Sequence, residues 1–217
     1  MTTMRADLTQ RRRATLSAAL GIVAVGLLVV GGQTVCPNGI CRALTFDTIG
    51  LVVLNDWRDD RLIAAVIAFT WLGSLLVLLP LALLQAWRHR TAQPPWAAVF
   101  VPLALIGAAL LAHLSKLAIE RPRPDLFPAL VAIPADASFP SAHAMQSAAF
   151  VLACIVRPAG RVRPAGALAL GIVAALVGIS RVHLQVHFPS DVLFGAAAAI
   201  LWVLALRALP VWQERIR

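Results

Sequence analysis

The sequence predicts an all-α integral membrane protein: one bundle of six transmembrane helices, with a short interfacial helix in the first outer loop. Three observations carry this. Of the 217 residues, 60% are hydrophobic and only 13% are charged, with a mean hydropathy of +0.82, whereas soluble domains are nearer half apolar and a quarter charged. The apolar residues gather in runs suited to crossing a bilayer. The charge is sorted by position. Threading the chain through six spans leaves twelve basic residues and two acids on the side of the termini, against seven basic residues and eight acids on the other. The positive-inside rule then puts both termini on the cytoplasmic side.

In chain order, the polar stretch 1–13 ends in Arg11-Arg12-Arg13, a cytoplasmic anchor. The run 14–31 is long enough to span. It is longer than a signal-peptide core, and Gly32-Gln33-Thr34-Val35 makes a poor cleavage site. Residues 32–60 form the first loop, which contains Cys36-Pro-Asn-Gly-Ile-Cys41. A Pro-Asn-Gly turn lets the two sulfurs approach, so Cys36 and Cys41 are expected to pair if the loop lies outside the cytoplasm. The second half of the loop, Leu44 to Arg58, mixes apolar and acidic residues with Trp57, which suits a helix lying in the interface, either as a packing lid or as a wall of a lipid entry route.

Residues 61–87 give the second span, with a kink expected at Pro80. Arg88-His89-Arg90 and a Gln-Pro-Pro turn follow, then the third span at 96–115. A loop rich in proline and charge covers 116–140, and 142–156 is a short fourth span. The basic turn 157–164 leads to the fifth span at 165–184, and the sixth covers 190–209. Cys154, inside an apolar run, reads as a buried small hydrophobe, and His113 as a packed or helix-bonded histidine. With no linker and no repeat, residues 1–217 are expected to form a single transmembrane domain.

Three polar clusters sit at the ends of these runs, all on the outer side. The first, K-L-A-I-E-R-P-R-P, carries Lys116 and Arg123, and Lys116 is the only lysine in the chain. The second, F-P-S-A-H, carries Ser141, Ala142 and His143; serine is a favoured N-cap, and the free N–H groups of a first helical turn bind anions. The third, S-R-V-H-L-Q-V-H-F-P-S-D, carries Arg181, His187 and Asp191. Proline fits only the first turn of a helix, so the last span begins near Pro189. A carboxylate one turn beyond a histidine can take its ring N–H and free the other nitrogen to attack. Three cations, two imidazoles, a hydroxyl and a carboxylate together would bind a phosphate and attack it.

K-x6-R-P, P-S-A-H and S-R-x5-H-x3-D, in this order over residues 116–191, resemble the three-part signature of the type 2 phosphatidic acid phosphatase superfamily. The Trp71-Leu-Gly-Ser74 stretch and the six-helix layout are similar to that family too. The resemblance implies that His187 is the nucleophile, forming a phosphohistidine, that Asp191 orients it, and that His143 is first general acid and then base. It implies that Lys116, Arg123 and Arg181 hold the phosphate oxygens, helped by Ser141 and the backbone at Ala142. No metal or other cofactor is implied. The family usually has glycine where this chain has Ala142, which puts the local geometry there in question.

The expected substrate is therefore a lipid phosphate or diphosphate within the bilayer. Undecaprenyl diphosphate comes first, on the strength of an outward-facing site, followed by phosphatidylglycerophosphate, phosphatidic acid and lipid A phosphate. Two readings of another class compete. A transporter would place its charges near the midplane of spans broken in matched halves, and here they gather at helix ends. A protein that binds lipid phosphate without turnover would not need both histidines. The basic charge follows topology and forms no stripe interleaved with aromatics, which argues against nucleic acid as a partner. Oligomeric state is not legible in the sequence.

Overall fold

The computed structural model describes residues 2–91, 95–158 and 162–213, with backbone alone for 2–7, 60, 95 and 213. Gln93 and Pro94 of the predicted turn, Arg161 of the basic turn, and Glu214, Arg215 and Arg217 of the tail lie outside the described residues. Among those described, the chain is all-helical: α1 Thr2–Val35, α2 Thr45–Asn55, α3 Asp60–Thr70, α4 Leu75–Arg88, α5 Phe100–Ile119, α6 Ala142–Val156, α7 Pro164–His183 and α8 Pro189–Ala208, with short 3-10 turns between some of them.

Four segments are long and apolar enough to cross a membrane: Leu8–Val35, Trp96–Ile119, Pro164–His183 and Pro189–Ala208. The pair α3 and α4 makes a fifth if read as one broken span. Their outer faces expose aliphatic side chains such as Ile22, Val30, Leu114 and Leu168, as a lipid-facing surface requires.

The expected kink at Pro80 is corrected. The chain bends by 46° between Arg61–Gly73 and Leu75–Arg88, whereas Pro80 lies inside α4. Ser74 explains the location. It leaves the helix with an extended backbone and accepts the N–H of Leu76 at 3.2 Å, so it starts a new helix. Gly73, beside it, has no room for a side chain: a Cβ there would meet Val177 Cγ1 at 2.4 Å and the carbonyl oxygen of His143 at 3.1 Å.

The short helix α6 is the hub. It packs against α5, α7 and α8, and more lightly against α4, with Ala144, Met145, Ala149 and Ala153 buried. At fifteen residues it rises only about 22 Å, less than the hydrocarbon thickness, but helices surround it. Helix α8 lies against both α1 and α6. Its buried Ala198 and Ala199 let the neighbours come close, and Gly195 faces the carbonyl of Ser141, 3.2 Å from where a Cβ would stand. Polar ties hold the other end of the bundle: Ser17 Oγ donates to Ala205 O at 2.8 Å, and Arg207 Nε donates to Val156 O at 2.9 Å.

Three further expectations are amended. Helix α5 continues to Ile119, so Lys116 stands in its last turn and not in the loop. Glu120 closes that helix in a left-handed conformation at φ 48°, and Pro122 prevents its continuation. His113 is exposed on α5 and not packed, and Cys154 is only partly buried against the core.

Candidate active site

All three sequence clusters arrive at one end of the bundle. Lys116 comes from the last turn of α5 and Arg123 from the segment after it. Ser141 and His143 start α6, Arg181 ends α7, His187 lies in the turn between α7 and α8, and Asp191 is in the first turn of α8. Two features make that turn tight. Gln185 adopts φ 58°, and Val186 N–H reaches back to Arg181 O at 3.2 Å. The starts of α6 and α8 are joined directly, because Ser141 N–H donates to Asp191 O at 3.1 Å.

Asp191 is fully buried and every contact on its carboxylate is a donor. Oδ2 receives Phe188 N–H at 2.9 Å and Ser138 Oγ at 2.5 Å, and lies 3.4 Å from His187 Nδ1; Oδ1 receives Arg121 at 2.6 Å. On the opposite edge of the imidazole, Arg123 donates to His187 Nε2 at 3.2 Å and to Val186 O at 2.7 Å. Burial, ahead of the opposing pull of Asp191, pushes His187 down from the ordinary histidine value to about 4, so the ring is neutral.

The cations face a carboxylate that sequence reasoning missed. Asp136 lies in the loop before α6 and bridges Lys116 at 3.0 Å and Arg123 at 2.6 Å. Burial pushes its carboxyl up, but the hydrogen bonds and charges of Lys116 and Arg123 outweigh that and hold it below the usual carboxylate range. Lys116 also donates to Ala137 O. Arg181 is buried, with one N–H on Thr70 Oγ1 at 3.1 Å. The buried Arg181 Nε and Ser141 Oγ have no partner. Ser141 thus stands at the N-cap position without capping; its hydroxyl is a donor with nothing to donate to. Ala142 opens α6 without a positive φ, so the usual glycine is not required there. His143, in the same turn, lies within electrostatic reach of the cations Arg181, Lys116 and Arg123.

Cys36 and Cys41 are bonded to one another at the far end of α1. Two cavities flank the segment from Arg121 to Arg123. One, of about 480 Å³, is bordered by Lys116, Arg123 and Asp136 and by His113, Leu117 and Ile133. The other, of about 300 Å³, lies between Arg42, Thr48 and Phe188. Among the described residues, no group of three or more His, Cys, Asp or Glu side chains is placed to hold a metal ion.

Four polar residues at this end went unnoticed in the sequence: Asp47, Arg121, Asp136 and Ser138. Arg121 precedes Pro122 as Arg123 precedes Pro124, a doubled Arg-Pro that could have drawn attention to it. Asp47, Asp136 and Ser138 carry no such signal. The arrangement as a whole offers an unprotonated imidazole nitrogen beside two cations already gripping an anionic group, with further donors unoccupied.

The profile of the PAP2 superfamily matches residues 97–215. Phosphatidylglycerophosphatase B of Bacillus subtilis (strain 168) is 30% identical over 173 residues, which are 77% of this chain and 82% of the relative. Among solved structures, a transmembrane PAP2-type phosphatidylglycerolphosphate phosphatase from Bacillus subtilis superposes with a TM-score of 0.74 at 24% identity, over 91% of this chain and 98% of that one. LpxE of Aquifex aeolicus superposes with a TM-score of 0.60 at 23% identity, over 76% and 96%.

Proposed function

The chain belongs to the PAP2 superfamily and is a membrane lipid phosphatase of that type, and from that premise we propose that its substrate is phosphatidylglycerophosphate, whose terminal phosphomonoester it hydrolyses. The similarity to phosphatidylglycerophosphatase B supports this lipid. It moves phosphatidylglycerophosphate ahead of undecaprenyl diphosphate, which an outward-facing site alone would suggest.

In the proposed reaction the phosphate displaces Asp136 from Lys116 and Arg123, and takes the unoccupied hydrogens of Ser141 and Arg181 and the N–H groups at Ala142. The single observation that carries this is that Ser141 Oγ and Arg181 Nε are among the buried donors left without a partner at the same end as His187. His187 Nε2 attacks phosphorus while the bond to the lipid oxygen breaks, and His143 gives that oxygen its proton. His143 then takes a proton from water, whose oxygen attacks the phosphohistidine. The P–N bond breaks and inorganic phosphate leaves. Asp191 keeps the Nδ1 proton throughout and balances the charge the ring acquires. These surrounding donors and cations stabilise the charge that develops on the phosphoryl oxygens.

In the same reading residues 1–217 form one domain, α6 is a sixth span shielded by its neighbours, and α2 lies in the outer interface. Both termini are cytoplasmic and the site opens to the outer leaflet, as the charge distribution suggests. The test is phosphate release by detergent-purified protein, with a chelator present, from phosphatidylglycerophosphate, undecaprenyl diphosphate, phosphatidic acid and lipid A. Release fastest from the first, and lost in His187→Ala, is the expected result. Faster turnover of another lipid overturns the substrate, and full activity in His187→Ala overturns the mechanism.

A further inference from the structure

Behind the proposed nucleophile lies a second layer of buried charge, to which the sequence resemblance assigns no role. Arg121 is 1% exposed and Asp47 is fully buried. The guanidinium of Arg121 donates to Asp191 Oδ1 at 2.6 Å and Ser190 Oγ at 2.7 Å with one nitrogen, and to Asp47 Oδ2 at 3.0 Å and Arg42 O at 2.8 Å with the other. Asp47, on α2, accepts Ser190 N–H at 2.8 Å on Oδ1, and Ser190 Oγ at 2.8 Å and Leu44 N–H at 3.1 Å on Oδ2. The face of Arg121 rests on the Phe188 ring at 3.9 Å, and its own carbonyl receives Ser138 N–H at 2.7 Å. Ser138 in turn donates to Asp191.

Both terminal nitrogens of this guanidinium are held, and the other two donors to the Asp191 carboxylate besides His187, Ser138 and Phe188, each touch Arg121 as well. The two nitrogens of one rigid plane each hold one oxygen of a different carboxylate, Asp191 and Asp47, and so fix the two relative to one another, which an ammonium cannot do. The charge balance matters as well. Two buried carboxylates share one cation, so removing it would leave two like charges facing each other in a dry interior.

We propose that Arg121 and Asp47 are positioning residues for phosphoryl transfer: Arg121 sets the direction of the Asp191 carboxylate toward His187, and Asp47 of α2 locks Arg121 in place. This rests on the reading of His187 as nucleophile and Asp191 as its partner. It also gives α2 a part in the chemistry, beyond that of a lid or a wall.

The test compares Arg121→Gln, Arg121→Lys, Asp47→Asn, the double variant Asp47→Asn/Arg121→Gln, and His187→Ala, each checked for folding by circular dichroism and gel filtration. Because Arg121 is not placed on the phosphate, kcat of Arg121→Gln is expected to fall roughly 10²-fold while KM stays within about threefold. Adding Asp47→Asn to it removes one of the two facing carboxylates, and is expected to raise kcat about tenfold over Arg121→Gln alone. A residue that only supports the fold predicts the reverse, a double variant slower than either single one. If Arg121→Gln does not fold, Arg121→Lys carries the test, with kcat expected about tenfold below wild type at unchanged KM. Wild-type kcat in a folded Arg121 variant, or a double variant no faster than Arg121→Gln, overturns the positioning role. Retained activity in His187→Ala would overturn the underlying reading, and the positioning role with it.

Discussion

Arg123 places a guanidinium N–H 3.2 Å from Nε2 of His187. Arginine only donates, so that nitrogen must present its lone pair, and the ring proton sits on Nδ1, facing Asp191 3.4 Å away. The contact therefore selects the tautomer a nucleophilic histidine needs. The same guanidinium holds Asp136, which brings the place of an anion and the proposed attacking atom together on one side chain.

The first prediction concerns titration. Burial holds His187 at about 4, so the ring stays neutral until the pH falls through that value. Imidazole nitrogen shifts in protein labelled with nitrogen-15 at histidine should show one ring, absent in His187→Asn, that titrates near 4 with the proton on Nδ1. A midpoint near the ordinary value of about 6.5, or a proton on Nε2, would refute it. Linkage has a matching sign. Between the two values the unfolded chain binds more protons than the folded one, so this group's contribution to stability is lost as pH falls across that window.

Asp136 makes the second prediction. Its carboxylate occupies Lys116 and Arg123, which phosphate takes in the proposed reaction, so Asp136→Asn should let an anion in more easily. The carboxylate is 52% exposed, and solvent screening keeps the effect modest. The inhibition constant of inorganic phosphate and the KM should both fall about two- to fivefold. Steady-state kinetics at fixed ionic strength checks this. A rise in KM would show that Asp136 helps to hold the substrate and does not compete with it.

What the sequence conveyed and what it hid divide along a physical line. Spacing within one helix end or one turn is local, so His187 with Asp191, Ser141 with His143, and Lys116 with Arg123 were legible as units. Hydropathy gave the long spans to within a few residues, as α7 and α8 show. The bend escaped because Pro80 is a visible breaker, whereas the break at Ser74 depends on how closely Gly73 meets α6 and α7. Asp47 and Arg121 escaped for a different reason: they pair across seventy-four positions, and no local pattern marks a partner so distant. Asp136, a lone acid in an irregular loop, had no periodicity to betray it.

The third prediction joins the disulfide to the orientation of the chain. Cys36 and Cys41 are bonded in the structure, and such bonds persist outside the reducing cytoplasm. Alkylation of the denatured protein, taken from intact cells without reductant, should leave both thiols unmodified, and prior reduction should add two labels. Labelling of both without reduction would contradict the outward placement of the first loop. In Cys36→Ser/Cys41→Ser the active-site network remains, so kcat should stay within about twofold while the unfolding temperature falls.

The fourth prediction tests how α6 is held. A methyl group at position 73 would stand 2.4 Å from Val177 Cγ1, 3.1 Å from the His143 carbonyl oxygen and 3.3 Å from His143 Cβ. Val177 is buried and β-branched, so it has no other rotamer to retreat to, and the carbonyl belongs to the backbone that carries His143. The strain must therefore move the start of α6. Gly73→Ala should destabilise the protein by about 1–3 kcal/mol and slow turnover by roughly tenfold or more, through the misplaced imidazole. Gly26→Ala in α1 is the matched control, because nothing lies within 4 Å of the added carbon, and better helix propensity should leave it neutral or slightly stabilised. Thermal unfolding in detergent and kcat on the same preparations decide the matter. Equal behaviour of the two variants would mean that the contact between Gly73 and His143 does not position the site, and that the packing of α6 against its neighbouring helices suffices.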